Sequence, residues 1–308
     1  MKLLVYLLKY LIIQLCMSIS RQNLTIVIVT FKSQHIIDQC IQTIDNNLPI
    51  IVVENSKNKD FKNYLENKYK NVSCVLSNDN IGMGAGNNIG IRYAKSDYVL
   101  ILNPDVLLFE ETIINLINEG KNLKDFGIIS AISDNKDYIN YSIEKKKNIN
   151  FHNNFEVDSI DGFCMLINKK KLQSILKRDN LFDEKFFMYL ENDDLCKRVR
   201  DKNEKIFIIP SSKIRHYGAK GVSEIFYKEI ELSRNWHWSW SKFYFSKKHK
   251  GYIYAISEGL PKLVSSLIKF CFYFIIFKKF KSKVYYNRAS GIFNSMINKS
   301  SWYRPKVD

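Results

Sequence analysis

The apolar run "VLILNPDVLLF" at 99–109 is interrupted by Asn103, Pro104 and Asp105. A carboxylate at the end of a hydrophobic strand, with an amide oxygen two residues before it, can hold a hard divalent cation. Mg²⁺ and Mn²⁺ take oxygen ligands, commonly one or two carboxylates completed by substrate phosphates and water. Pro104 stiffens the turn and removes a backbone donor. Asp105 also suits a helix N-cap after a strand, and spacing alone leaves both readings open.

A second constellation is Glu191, Asn192, Asp193 and Asp194 in "YLENDDLCKRVR". Acids at a helix start favour the macrodipole, which accounts for Asp193. It accounts less well for an acidic cluster directly behind the apolar "FFMYL". A carboxylate at the edge of an apolar pocket has a raised proton affinity and can act as a general base. The third candidate is His216 in "IRHYGAKG", after a strand and before two glycines, with Lys220 beside it. Such a loop can close on a phosphate or a metal. The fourth is "NDNIGMGAGNNIG", with glycines at 82, 84, 86 and 90. It follows the third strand and lacks the dinucleotide register, but its backbone N–H groups can approach a ligand.

These residues need elements to hold them. "LTIVIVTF" is a near-continuous β-branched run, the pattern of a buried parallel strand. "SQHIIDQCIQTIDNN" has helical spacing with Ser33 as its predicted N-cap. "PIIVVENSK", "VSCVLSNDN" and "DYVLILNPDV" supply three more strands, each followed by a helical pattern. Alternation of this kind predicts a doubly wound, mostly parallel α/β sheet. Ligands of such sheets sit outside the carboxyl ends of the strands. Those ends carry Thr30, Glu54 with Asn55, Asn78 with Asn80, and Asn103 with Asp105, all sharing one crevice. After Ile128 the pattern turns mixed and partly antiparallel, with a Lys-rich insertion.

The 308 residues are 46% hydrophobic, enough for one large domain with an appendage, and carry a net charge of +16. From Lys242 onward there are fourteen Lys and Arg against two acids, so the tail holds most of the excess. Its segment 263–283 is apolar and aromatic, interrupted by Lys269 and edged by lysines. It is short for a span and predicts an in-plane anchor on an anionic membrane surface, the alternative being a buried helix with a solvated basic face. Trp236, Trp238 and Trp240 stack on sugar rings, anchor at a membrane interface or pack a linker helix. Lys247 and Lys248 meet a lipid diphosphate or headgroups in the first two of these readings. Six cysteines without a C-x-x-C pair point to a reducing compartment. Residues 1–22 are read as an N-terminal extension, with Met17 as an alternative start. The basic tail also raises the alternative of a nucleic-acid-binding protein, but the strand-end polar groups are acidic or neutral.

In their order along the chain, "IVIVTFKS", "IVVENS", "NIGMGAGNNIGI", "LILNPDV", "DGFCMLINKK", "FDEKFFMYLENDDLCKRV" and "HYGAKG" resemble inverting glycosyltransferases of family 2. Within that family they are most similar to rhamnosyltransferase-like enzymes of bacterial surface polysaccharide assembly. The resemblance covers roughly 24–250. It implies the GT-A nucleotide-diphospho-sugar transferase fold over 23–232, with a basic, partly apolar helical appendage over 233–308. It implies a nucleotide-sugar donor bound by Thr30, Glu54, Asn80, Asn87, Asn103 and Asp105. Asp105 and His216 would hold Mg²⁺ or Mn²⁺. "LENDDL" looks like the family's E-D-x-D-L motif, with Asn192 in the second acidic position. That leaves Glu191 as the base and Asp194 as a supporting residue. The implied acceptor is a glycan or a polyprenyl-diphosphate-linked sugar at the inner face of the cell membrane, with no nucleic acid as partner. A nucleotidyltransferase of the same fold and an inactive relative are the neighbouring alternatives.

Overall fold

The computed structural model describes residues 19–123, 125–135, 138–143, 150–218 and 221–307. Residues 1–18 of the predicted extension, including Met17, lie outside the described residues, as do 144–149 of the Lys-rich insertion and Lys220.

The first half follows the strand–helix alternation. β1 (Leu24–Thr30), β2 (Ile50–Glu54), β3 (Val72–Leu76) and β4 (Tyr98–Leu102) pair in parallel, with β1 between β2 and β4. β1, β2 and β4 are buried along their whole lengths, which is why they read as unbroken apolar runs. The connecting helices are α1 (Ile37–Gln42), α2 (Lys59–Lys68) and α3 (Met83–Tyr93). α1 is shorter than its sequence pattern and Ser33 does not cap it. The Ser33 hydroxyl instead donates to the Gly221 carbonyl at 2.7 Å, tying this loop to the distant one after His216.

The second half departs from a mostly parallel sheet. β5 (Val106–Leu108), α4 (Thr112–Leu123) and β6 (Ile128–Ser133) are followed by the short β7 (Tyr141–Ser142), β8 (Phe155–Glu156) and β9 (Ser159–Ile160). Then come β10 (Cys164–Asn168), α5 (Lys169–Leu176), α6 (Glu191–Arg200) and β11 (Ile206–His216). Among the described residues the large sheet runs β3-β2-β1-β4-β10-β6-β11-β5, with β8 on β11. β10 is antiparallel to both β4 and β6, and β11 is antiparallel to β5. The reason is entry direction: the chain reaches β10 from the ligand end of the sheet through Asp161–Phe163, so it must run back. The stretch read as one strand through Asp105 is in fact two. Asn103, Pro104 and Asp105 carry the chain from β4 at the centre to β5 at the edge.

The expected appendage opens on a helix that spans position 233 and starts at Tyr227. Its helices are α7 (Tyr227–Lys250), α8 (Tyr252–Ile275) and α9 (Lys279–Met296), which pack on one another. Trp236 and Trp240 are core residues here: their indole N–H groups donate to Ser290 Oγ (3.1 Å) and the Lys299 carbonyl (3.0 Å). Only Trp238 of the three is exposed. Lys247 donates to Asn298, and Lys248 bridges Asp183 and Asp194 at 2.6 Å each, so Lys248 is a buttress rather than a free phosphate ligand. Among the described residues no helix is long and apolar enough to cross a membrane. The 263–283 segment is split between α8 and α9 by a turn at Phe277, and it leaves Ile268, Phe274, Ile275 and Phe277 exposed.

The residues after α9 return to the sheet, where Arg304 Nε donates to the Asn80 carbonyl at 3.0 Å, and are held to α7 by His237. Its Nε2 lies 2.9 Å from the Tyr303 carbonyl and its Nδ1 2.9 Å from Ser301 Oγ. Burial pushes its pKa down to about 3. A depressed folded-state pKa makes stability fully present above the ordinary value of 6.5 and lost progressively as pH falls toward 3. His237→Ala is expected to destabilise by on the order of 3 kcal/mol and to speed proteolysis within 301–307. Wild-type cleavage should likewise accelerate as pH drops from 7 to 4, and a flat rate would exclude this clasp.

Candidate functional site

A cavity of about 580 Å³ opens at the carboxyl ends of β1 and β4. A smaller one of about 120 Å³ adjoins it, sharing Phe31, Met83, Met188, Val222 and Arg234 as wall. The large cavity collects Asn87, Asn103, Asp105, Glu191 and His216, which lie far apart in sequence.

The register of β5 on β11 makes the first pairing. His216 opposes Val106, so the imidazole arrives beside the preceding residue, Asp105. Nε2 of His216 lies 3.4 Å from Asp105 Oδ1. Phe163 stacks on the imidazole at 4.0 Å between ring centroids and fixes its plane. Asn103 Oδ1 is buried in the same wall with no hydrogen-bond partner among the described residues. Together these give one carboxylate, one imidazole and an uncommitted amide oxygen. Among the described residues no three acidic, His or Cys side chains converge on a point, so the protein alone makes no closed cage. An open set of this kind fits a hard cation completed by substrate phosphates and water.

Glu191 opens α6 after Tyr189 and Leu190, both in the left-handed region at φ 71° and 65°. Two consecutive non-glycine residues there cost energy, and they turn the helix start so that Glu191 faces the cavity. Its side chain is 9% exposed and Oε2 has no partner among the described residues. Burial raises its pKa to about 7, opposed by its own backbone N–H and reinforced by the Asp193 charge. That value suits a group that must hold and release a proton near neutrality. Asn192 lines the cavity too, but its amide donates to the Ile160 carbonyl at 2.7 Å, an anchor between α6 and β9.

Several expected site residues sit elsewhere. Thr30 and Glu54 are fully buried and absent from both cavity walls; the Thr30 hydroxyl donates to Glu54, whose other oxygen accepts from the Ser56 N–H. Asn55 takes the position in the small cavity that Glu54 was expected to hold. Asn80 lines that small cavity, and Asn87 the large one with its Oδ1 unpartnered among the described residues. The glycine-rich stretch serves packing rather than a backbone cradle. Gly82 has φ +86°, a Cβ there would lie 2.1 Å from the Phe187 carbonyl oxygen, and the Met83 N–H already donates to that oxygen.

Asp194 points away from the cavity. It is fully buried and accepts from Arg198 Nε (2.8 Å), Lys248 Nζ (2.6 Å) and His249 Nε2 (2.8 Å). It therefore joins α6 to the appendage. Asp194→Ala is expected to cost 3–5 kcal/mol, roughly, because it strands buried cations. Melting temperature should fall while activity per folded molecule persists; a large loss of turnover at unchanged melting temperature would return Asp194 to the chemistry.

The cavity also contains residues that sequence reasoning did not assign: Asp161, Asp193, Tyr138 and Arg234. Burial raises the pKa of Asp161, against the hydrogen bond from the Tyr138 hydroxyl at 2.9 Å. Burial likewise raises Asp193, which accepts from Ser159 Oγ at 2.7 Å. Asp161 had a signal in "DGFCML", an acid before a glycine at the mouth of an apolar strand, the same pattern as "NPD" in reverse. Acids crowd the site, so a cation is electrostatically favoured there.

Residues 25–176 match the model of the family described as "Glycosyl transferase family 2". The chain is 29% identical over 204 residues to the low-salt glycan biosynthesis hexosyltransferase Agl10 of Haloferax volcanii, covering 60% of this chain and 64% of that relative. It is 25% identical over 243 residues to the rhamnosyltransferase WbbL of Escherichia coli K12, covering 69% of this chain and 88% of that one. Among solved structures, the mannosyltransferase PcManGT of Pyrobaculum calidifontis, in complex with GDP-Man and Mn²⁺, superposes with a TM-score of 0.55 at 12% identity, covering 90% of this chain and 88% of that one. That likeness speaks for the fold. With this matched region, these relatives and a mixed sheet that gathers acids at its strand ends, residues 25–176 form a glycosyltransferase family 2 domain and the fold is GT-A.

Proposed function

We propose that this protein transfers a hexosyl or deoxyhexosyl group from a UDP- or dTDP-sugar to a hydroxyl of a glycan or lipid-linked acceptor, in assembly of a cell-surface polysaccharide. The observation that carries the proposal is the placement of Glu191 in one cavity with the Asp105–His216 pair. The carboxyl of Glu191 is buried, unpartnered among the described residues and tuned to about 7. The names of the two relatives, a hexosyltransferase and a rhamnosyltransferase, support the sugar class.

Asp105 and His216 would hold Mg²⁺ or Mn²⁺, with Asn103 as an added oxygen. When bound, the cation offsets charge on the departing nucleoside diphosphate. Glu191 takes the proton of the acceptor hydroxyl. The freed oxygen forms its bond to the anomeric carbon as the bond to the diphosphate breaks, and one displacement inverts the configuration. The small cavity beside Asn55 and Asn80 has the place and size for the base of the nucleotide. Trp238, exposed at the rim, offers a face for an acceptor sugar. The exposed apolar residues of α8 and α9, among many lysines, support a position at the inner face of the cell membrane.

Melting temperature measured against a panel of nucleotides, with and without Mn²⁺, tests this. Binding at about a hundred times Kd stabilises by about 2.7 kcal/mol. UDP or dTDP is expected to raise the melting temperature only when Mn²⁺ is present. No shift with any nucleotide would overturn the donor site, and a metal-independent shift would overturn the cation assignment.

A further inference from the structure

We infer that the groove between the three C-terminal helices binds the phosphate-bearing headgroup of a lipid-linked acceptor, with its apolar chain lying along α8. This rests on the transferase proposal and adds a site to it. The groove encloses about 460 Å³ between α7, α8 and α9. Its floor is closed by Gly259, where a Cβ would meet the Phe243 ring at 2.6 Å. Only glycine lets α8 sit this close to α7.

The groove is cationic. Lys242, Lys262, Lys269 and Arg288 line it, against one acid, Glu258. The Glu258 carboxylate already accepts from Ser246 Oγ at 2.9 Å and from the Tyr254 hydroxyl at 3.1 Å. Among the described residues none of the four cations is ion-paired. Lys269 and Arg288 sit over the Tyr285 ring at 5.4 and 5.1 Å, which holds them at the wall. A cleft lined by one sign of charge focuses the field and concentrates an anion of opposite sign. Lysine and arginine are donors without acceptor capacity, matched to phosphate oxygens.

The surfaces adjoining the groove decide which anion. Trp238 belongs to both the groove and the catalytic cavity. A group attached to a phosphate in the groove is therefore led toward Glu191. Along α8, Pro261, Ser265 and Lys269 belong also to a shallow apolar hollow with Leu260, Val264 and Ile268. Sugar, phosphate and hydrocarbon thus each have an adjoining surface. A free nucleotide has no chain for the hollow, and a simple phospholipid has no sugar for Trp238.

The test is calorimetric titration of the full chain with farnesyl diphosphate and with inorganic diphosphate. The wild type should bind farnesyl diphosphate at least about tenfold more tightly than inorganic diphosphate, through burial of the chain. The Lys242→Ala/Lys262→Ala/Lys269→Ala variant should lose roughly tenfold or more for both probes. Leu260→Ser/Ile268→Ser should lose the advantage of the chain alone. All five side chains are exposed, so the fold should persist. Nucleotide binding with Mn²⁺, read on the same variants, should be unchanged. Equal affinity of wild type and the triple variant for farnesyl diphosphate, no binding by the wild type, or its full displacement by phosphatidylglycerol vesicles would each overturn the groove assignment. Absence of nucleotide binding in the wild type would overturn the transferase proposal instead.

Discussion

Asp105→Ala is expected to lower kcat/KM for sugar transfer about a thousandfold or more. In the proposed reaction a departing nucleoside diphosphate would develop negative charge in a cavity already lined by Asp105, Asp161, Glu191 and Asp193. Without a cation that charge faces these acids, with Arg234 on the same wall. Asp105 supplies the carboxylate beside His216, and Asn103 and His216 would bring no negative charge to a cation. A barrier increase of about 4 kcal/mol corresponds to roughly three orders of magnitude in rate. Asp105→Asn keeps the shape and removes the charge, so it should fall nearly as far. Neither substitution should cost much stability, since each removes a buried acid from an acidic cluster. Measuring turnover against Mn²⁺ concentration, with melting temperature on the same preparations, separates the two effects. Mn²⁺-dependent turnover within tenfold of wild type would exclude Asp105 as the cation ligand.

Glu191→Gln is expected to reduce transfer by roughly a hundredfold to ten-thousandfold while leaving nucleotide affinity unchanged. The amide keeps the size and polarity of the group but cannot take the acceptor proton. The pH profile should change with it. In the wild type kcat/KM should rise with pH through about 7, where the carboxyl ionises, and this limb should vanish in the variant. Stability carries an independent signature. Burial raises the folded-state pKa from the ordinary 4.5 to about 7. Between those values the unfolded chain is ionised while the folded one still holds its proton, so stability falls as pH rises through this window. Glutamine has no such penalty. The variant should therefore match wild type near pH 4 and exceed it by a few kcal/mol at pH 8. Denaturant midpoints at the two pH values measure this. Equal loss of nucleotide binding and transfer would make Glu191 structural, and an unchanged pH profile would place the base elsewhere, with Asp193 and Asp161 next in line.

Much of the candidate site was legible because its residues break a pattern. Asp105 stands out against an apolar strand and Glu191 behind an aromatic run, and each anomaly marks a place where local burial preferences are overridden. Thr30 and Glu54 stood out by the same logic but lie outside both cavity walls. A polar residue at a strand end can face the crevice or the layer beneath, and period-two alternation does not say which when every residue of the strand is buried. Asp194 was expected beside Glu191 but lies off the cavity wall, because its partners, Lys248 and His249, are more than fifty residues away. Asp161 was passed over because its loop precedes a strand, on the side where a purely parallel sheet would have no ligand.

By itself the sequence determined the parallel first half of the sheet, the chemical character of the site and the basic, apolar nature of the tail. Those properties follow from local periodicity and composition, which a linear chain displays directly. Tertiary structure alone decided that His216 meets Asp105, since that depends on the register of β5 against β11. It decided that Asp193 rather than Asp194 faces the cavity, since adjacent helical residues diverge by about 100° and only packing says which is inside. It also decided that Trp236 and Trp240 hold the appendage together while Trp238 stays exposed at the rim. Each of these is a contact between segments distant in sequence, and its geometry is set by how whole elements pack.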